Sequence, residues 1–239
     1  MKNIRMATRA WLRRHVRRLL LRAGFQIQRI TSGAPVVLPL WDDDPAFVRL
    51  FNQLIGYTLV DKVRCFILYQ CAKNSAPIAG DLAEVGVFRG GTAKLLAKTS
   101  APSGKTVHLF VTFAGMPSVD ANIDLHHAGD FANTSIEAVQ AYLHDCGNVR
   151  LYQGIFPTTA QPVEQRSFAL VHIDVDIYTS VLSCCEFFYP RMQRGGIMVF
   201  DDYGFWSCPG AKKAVDEFFA DKPEALIYLP TGQCLAIRL

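Results

Sequence analysis

From residue 80 onward the chain alternates short apolar runs with helix-length stretches, and its last two apolar runs are separated by only Pro230-Thr231-Gly232. Strands are read over Asp81–Val87, Thr106–Thr112, Val149–Tyr152, Phe168–Ile173 and Gly196–Phe200. Helices are read over Thr92–Lys98, Ser135–Asp145, Val181–Met192 and Ala211–Ala220. Strands joined through helices belong to a parallel sheet covered on both faces. The final pair, Ala225–Leu229 and Gln233–Leu239, has no room for a crossover helix and must form an antiparallel hairpin. The expected fold is therefore α/β: a mostly parallel seven-stranded sheet with an antiparallel C-terminal strand.

Ahead of this lies a helical segment, residues 44–75. Its apolar Phe47, Leu50, Phe51, Leu54 and Ile55 either cover the site or form a dimer surface. Residues 31–43, opening on Thr31-Ser32-Gly33-Ala34-Pro35, read as a linker. Residues 1–30 differ sharply from the rest, with nine Lys/Arg and no acid. Removing those nine from the 25 basic residues leaves 16 against 21 acidic ones, so the body carries a net −5. A body of that sign argues against nucleic-acid binding.

In the tail, Ile4, Trp11, Leu12, Val16, Leu19, Leu20 and Ala23 recur at helical spacing among arginines, predicting a basic amphipathic helix. Such a helix either adsorbs to an anionic membrane surface, peripherally, or packs its stripe on the body or on a second subunit of a homo-oligomer. No apolar run approaches the roughly 20 residues that span a bilayer, and the tail has no signal-peptide pattern. The seven cysteines are odd in number and form no Cys-x-x-Cys pair, which predicts buried thiols in a cytoplasmic protein.

Two places carry chemistry. Where the first strand turns into a helix, the chain reads Glu84-Val85-Gly86-Val87-Phe88-Arg89-Gly90-Gly91-Thr92. Gly86 there allows close approach of a ligand, and Gly90 and Gly91 tighten the turn and leave helix N–H groups free. The run is neither a Walker loop nor a G-x-G-x-x-G fingerprint. Glu84 is an acceptor either for ligand N–H groups or for nearby turn amides. The second place comprises Asp174, at the end of the fourth strand, and Asp201 and Asp202, at the end of the fifth. Adjacent strands would gather three carboxylates whose repulsion a hard divalent cation relieves, Mg²⁺ rather than zinc.

Taken together, EVGVFRGGTAKLLAK, TFAGMP, HHAGDFANTS, VHIDVDIYTSVLSCCEFFYPRMQRGG and FDDYG resemble the macrocin O-methyltransferase family, from about Asp44 to the C-terminus. The resemblance implies a Rossmann-like class I methyltransferase fold, with S-adenosylmethionine and Mg²⁺ as cofactors. It implies transfer of a methyl group to a hydroxyl of a sugar or polyhydroxylated natural product, a small glycosidic acceptor. By it Asp174, Asp201 and Asp202 match the metal ligands. The cofactor-binding positions are Glu84, Val85, Gly86, Phe88, Gly90, Gly91 and Thr92, followed by Thr112 and Phe113. Candidate proton acceptors are Asp174, Asp176 and a histidine of the His126-His127 pair, with His127 the one assigned.

One departure stands out. Relatives read D-T-F-E-G after the second strand, and this chain has Val111-Thr112-Phe113-Ala114-Gly115. The acid expected to hold the cofactor ribose is a valine. A hydrogen bond to a charged group contributes about 1.5–3 kcal/mol, so binding should weaken roughly ten- to a hundredfold. Two other functions fit the same residues. One is a non-catalytic or weakened relative that keeps the fold and the metal site. The other is a metal-dependent glycosyltransferase, for which Asp174-Val175-Asp176 would be the Asp-x-Asp signature.

Overall fold

The computed structural model describes residues 39–239. The helix expected over residues 1–30 lies outside them, as does the linker except for its end, where Leu40–Asp42 form a 3₁₀ turn. Two helices precede the sheet: α1 (Pro45–Leu54) and α2 (Lys62–Asn74). Each begins where an aspartate can cap it. Asp44 accepts from the amides of Ala46 and Phe47, with Pro45 at the first helical position, and Asp61 accepts from Val63 and Arg64.

The strands follow the expected order: β1 (Asp81–Val85), β2 (Val107–Val111), β3 (Val149–Gln153), β4 (Phe168–Ile173), β5 (Met192–Phe200), β6 (Leu226–Tyr228) and β7 (Cys234–Ile237). Between them run α3 (Gly91–Ser100), α4 (Ile136–Tyr142), α5 (Tyr178–Phe188) and α6 (Pro209–Phe219). The sheet order is β3-β2-β1-β4-β5-β7-β6. The first five strands pair in parallel, while β7 pairs antiparallel with both β5 and β6. The short connection gives the expected antiparallel hairpin, and its last strand inserts against β5.

Side chains alternate across the sheet. Leu82, Leu109, Leu170, Ile197 and Val199 join the core under α1, α2 and α3. Ala83, Val85, Phe110, Val171, Ile173, Met198 and Phe200 join the core under α5 and α6. All six residues of β4 are buried, as a central parallel strand demands. In the leading segment Phe47, Leu50 and Leu54 are buried, whereas Ile55 is exposed. The helix read from Val181 to Met192 starts earlier and ends sooner: Tyr189–Arg191 form a 3₁₀ turn and Met192 already belongs to β5. Pro190 has no N–H to continue the helix. All seven cysteines are buried free thiols.

Candidate functional site

The C-terminal ends of β1, β2, β4 and β5 open onto one cavity of about 320 Å³, where ligands of open α/β sheets bind. Residues Thr58–Val60 and Arg64 close one side, so the segment between α1 and α2 forms a wall of the cavity.

Ile173 pairs with Phe200 across β4 and β5, which brings Asp174 and Asp201-Asp202 out side by side. Oxygens of the three carboxylates lie within 4.8 Å of one another. Their surroundings differ. Burial, then the charge of Asp201, pushes Asp174 well above the usual carboxylate range; burial, then Asp176 and Asp174, does the same to Asp202. Burial works against Asp201 too, but the His172 contact and charge, Arg64 and Gln233 outweigh it and hold that carboxyl below its ordinary value.

Those partners come from three directions. Arg64, tied by Asp61 at the start of α2 (2.8 Å), forms an ion pair with Asp201 Oδ2. Gln233 of the hairpin turn donates to Asp201 Oδ1 at 2.8 Å. His172 on β4 sets Nε2 at 3.6 Å from the same oxygen and Nδ1 at 2.8 Å from Glu84 Oε1. Burial opposes protonation of His172, yet its two carboxylate neighbours raise its pKa well above the ordinary value. Glu84 is fully buried, lies off the cavity lining and pairs with His172 rather than with the turn amides. Its Oε2 has no hydrogen-bond partner among the described residues.

Counting Glu84, Asp174, Asp176, Asp201 and Asp202 against Arg64 and His172, this end of the sheet holds an excess of carboxylate. The all-oxygen donor set of Asp174, Asp201 and Asp202 suits a hard dication, which would supply the missing positive charge and share Asp201 with Arg64.

The turn after β1 is built differently from the expectation. Val85, Gly86, Phe88 and Thr92 line the cavity, joined by Val87. Gly86 has φ +94, and a Cβ there would stand 1.7 Å from the carbonyl oxygen of Asp174; the glycine is needed for the close passage of β1 and β4. Gly90 and Gly91 do not line the cavity. Gly90 caps α3 at φ +91, and its N–H donates to Val87 O. The Gly91 N–H is not free either but donates to Tyr57 O at 2.9 Å, with Thr58 packed where a Cβ would go.

Phe88, Phe113, Phe131 and Asp176 are the non-glycine residues with positive φ among the described residues, and all four line the cavity. Left-handed backbone at bulky residues costs of order 1–3 kcal/mol and gathers where a site needs it. The GDF-x-x-T-S segment explains part of this. Thr134 Oγ1 donates to Phe88 O at 2.8 Å, and the Phe88 and Phe131 rings meet edge to face at 6.3 Å. The segment therefore buttresses the turn after β1.

At the end of β2, Val111, Thr112 and Phe113 line the cavity. The Thr112 hydroxyl is committed to its own turn, donating to Gly115 O and accepting from Ala114 N. Asp130 approaches from the next loop, but its Oδ2 accepts from His127 N at 2.9 Å and lies 3.4 Å from His126 Nδ1. No carboxylate replaces the missing acid on the β2 strand end itself.

Of the histidine pair, His127 is exposed and lies off the cavity lining, whereas His126 faces in. The sequence reading also missed Arg64 and Gln233. Neither carries a local signal, since both reach Asp201 from distant elements. Among the described residues, no helix is long and apolar enough to cross a membrane.

Residues 50–225 match the Macrocin-O-methyltransferase (TylF) family. An 8-demethyl-8-(2,3-dimethoxy-alpha-L-rhamnosyl)-tetracenomycin-C 4'-O-methyltransferase of Streptomyces olivaceus is 27% identical over 202 residues, covering 76% of this chain and 77% of that protein. Demethyldecarbamoylnovobiocin O-methyltransferase of Streptomyces niveus is 29% identical over 187 residues, 71% of this chain and 68% of its own. The structure of the O-methyltransferase NovP superposes with a TM-score of 0.66 at 27% identity, over 76% of this chain and 82% of that one. With the family match spanning most of the sheet and all three aspartates, this chain belongs to the macrocin O-methyltransferase family.

Proposed function

We propose that the protein transfers a methyl group from S-adenosylmethionine to a hydroxyl of a small sugar-like or polyhydroxylated acceptor, with a hard dication, Mg²⁺, at Asp174, Asp201 and Asp202. One observation carries this reading: the turn after β1 and the three aspartates open into the same cavity. The relatives' names, a rhamnosyl-tetracenomycin 4'-O-methyltransferase among them, support the acceptor class.

Bound there, the cofactor would supply an electrophilic methyl group and the dication would lower the pKa of a hydroxyl held beside it. The protein's own residues account for the rest. Val85, Gly86, Phe88 and Thr92 form one wall of the cofactor's place, and Thr112 and Phe113 the other. Arg64, Gln233 and His172 hold Asp201 in one orientation. Asp176 is the proton acceptor that geometry favours over Asp174, which is committed to the dication, and over His127, which lies off the cavity lining. Its left-handed backbone and its N–H bond to Asp202 Oδ2 (3.0 Å) fix its carboxylate toward the cavity.

Incubation with methyl-labelled S-adenosylmethionine, Mg²⁺ and a panel of glycosides with free hydroxyls tests the reading. Label should pass to an acceptor, chelation should stop it and Asp174→Asn should slow it severely. Binding of a nucleotide-sugar in place of S-adenosylmethionine would sink it. The bare β2 end favours a second reading, a relative that keeps the acidic site and has shed cofactor binding. Under that reading neither methyl transfer nor cofactor binding occurs until Val111→Asp restores the acid.

A further inference from the structure

Elsewhere in the cavity lining, three side chains of different chemistry converge. His126 Nε2 stands 3.7 Å from Asp176 Oδ1 and 3.6 Å from Cys208 Sγ, and the sulfur is 3.3 Å from the same Asp176 oxygen. Tetrahedral zinc, with bonds of about 2.0–2.1 Å to nitrogen or oxygen and about 2.3 Å to sulfur, sets its ligand atoms roughly 3.3–3.6 Å apart. The two separations to sulfur fall on that scale, and the nitrogen–oxygen separation of 3.7 Å exceeds it by about 0.1 Å. We propose that His126, Asp176 and Cys208 form a second metal site, for a zinc-class dication, distinct in chemistry from the all-oxygen aspartate site.

Three features show a built site. Cys208 occupies the N-cap position of α6, where Ser, Thr, Asp or Asn normally accepts from a helix amide, yet its side chain caps nothing and turns to the cavity instead. His126 Nδ1 faces Asp130 Oδ2 at 3.4 Å, the carboxylate–histidine arrangement that orients an imidazole toward a metal. The loop carrying His126 is clamped: buried Asp124 accepts from Tyr178 N at 2.9 Å, and its carboxylate packs so closely on α6 that a Cβ on Gly210 would stand 1.9 Å from Oδ1.

All three side chains line the cavity, so a fourth ligand to an ion there would be water or an exogenous group, as in open zinc sites. Thiolate and imidazole favour zinc, cobalt or cadmium over magnesium, so the two sites sort ions by softness. An ion here engages Asp176, whose amide also bonds Asp202. Resting on the role proposed for Asp176 above, occupancy by zinc removes the proton acceptor and silences transfer while Mg²⁺ remains on the aspartates.

Cobalt(II) titration of the full chain tests the site directly. A thiolate-to-cobalt charge-transfer band should appear and zinc should quench it. Cys208→Ser should abolish the band, and Asp201→Asn should keep it. Zinc affinity, read by competition with a chromogenic chelator, should fall roughly ten- to a hundredfold in Asp130→Asn, and further in Cys208→Ser or His126→Gln. Thermal melts of the apo variants report folding, and Asp130→Asn carries the test if Cys208→Ser does not fold. Absence of the band, its survival in Cys208→Ser, or equal zinc affinity across the variants would overturn the site. The spectrum needs no turnover, so failure of methyl transfer leaves it readable. Where transfer occurs, zinc should inhibit the wild type and not Cys208→Ser; equal inhibition of both would overturn the silencing role.

Discussion

The end of β2 and the ends of β4 and β5 face the same cavity, yet one is stripped and the other is heavily furnished. At β2 the strand closes on Val111, and the one hydroxyl nearby, Thr112, is spent within its own turn. At β4 and β5 three carboxylates converge, with Arg64, Gln233 and His172 holding one of them. In terms of the proposed reaction, the half that would handle the acceptor hydroxyl is intact and the half that would grip the cofactor ribose has lost its anchor. Retention of a fold and its metal-type donors therefore says little about cofactor affinity, which depends on a different strand.

The contrast breaks most completely at Gly86, which joins the two halves where β1 passes Asp174. Gly86→Ala should destabilise the protein by more than about 4 kcal/mol, because backbone overlap and a left-handed φ act together. Thermal denaturation reads this, and a near-normal melt would contradict the packing account. On the furnished side, Asp174→Asn should lower methyl transfer by about a hundred- to a thousandfold with S-adenosylmethionine affinity little changed. On the stripped side, Val111→Asp should raise S-adenosylmethionine affinity roughly ten- to a hundredfold and leave Mg²⁺ affinity unaltered, as calorimetry can measure. The smallest effect is expected of Thr134→Val, which removes the hydroxyl bonded to Phe88 O. Loss of one neutral hydrogen bond, about 0.5–1.5 kcal/mol, should weaken cofactor binding by roughly two- to tenfold.

Most of the sheet was legible because apolar runs and their spacing report burial directly. The parallel core, the reversed last strand and the aspartates at two neighbouring strand ends all follow from such runs and from strand adjacency. Less legible was anything set by loop conformation or by contacts across long separations. Arg64 meets Asp201 from 137 positions away, and Glu84 meets His172 from 88. The choice between His126 and His127 turns on which neighbour a loop points inward, and periodicity carries no information about that. The glycines after β1 stand out in the sequence, but it does not show that Gly86 and Gly91 are already demanded by protein backbone and by Thr58. His126, Asp176 and Cys208 come from three separate segments and share no spacing motif.

The proposed chemistry rests on the cavity accepting S-adenosylmethionine despite the bare β2 end. Calorimetric titration of the wild-type chain with S-adenosylmethionine in Mg²⁺, beside Val111→Asp and beside a nucleotide-sugar, tests that directly. Saturable binding of S-adenosylmethionine, weak in the wild type and tighter in Val111→Asp, is the result predicted. Binding of the nucleotide-sugar, or no S-adenosylmethionine binding to either protein, would contradict it.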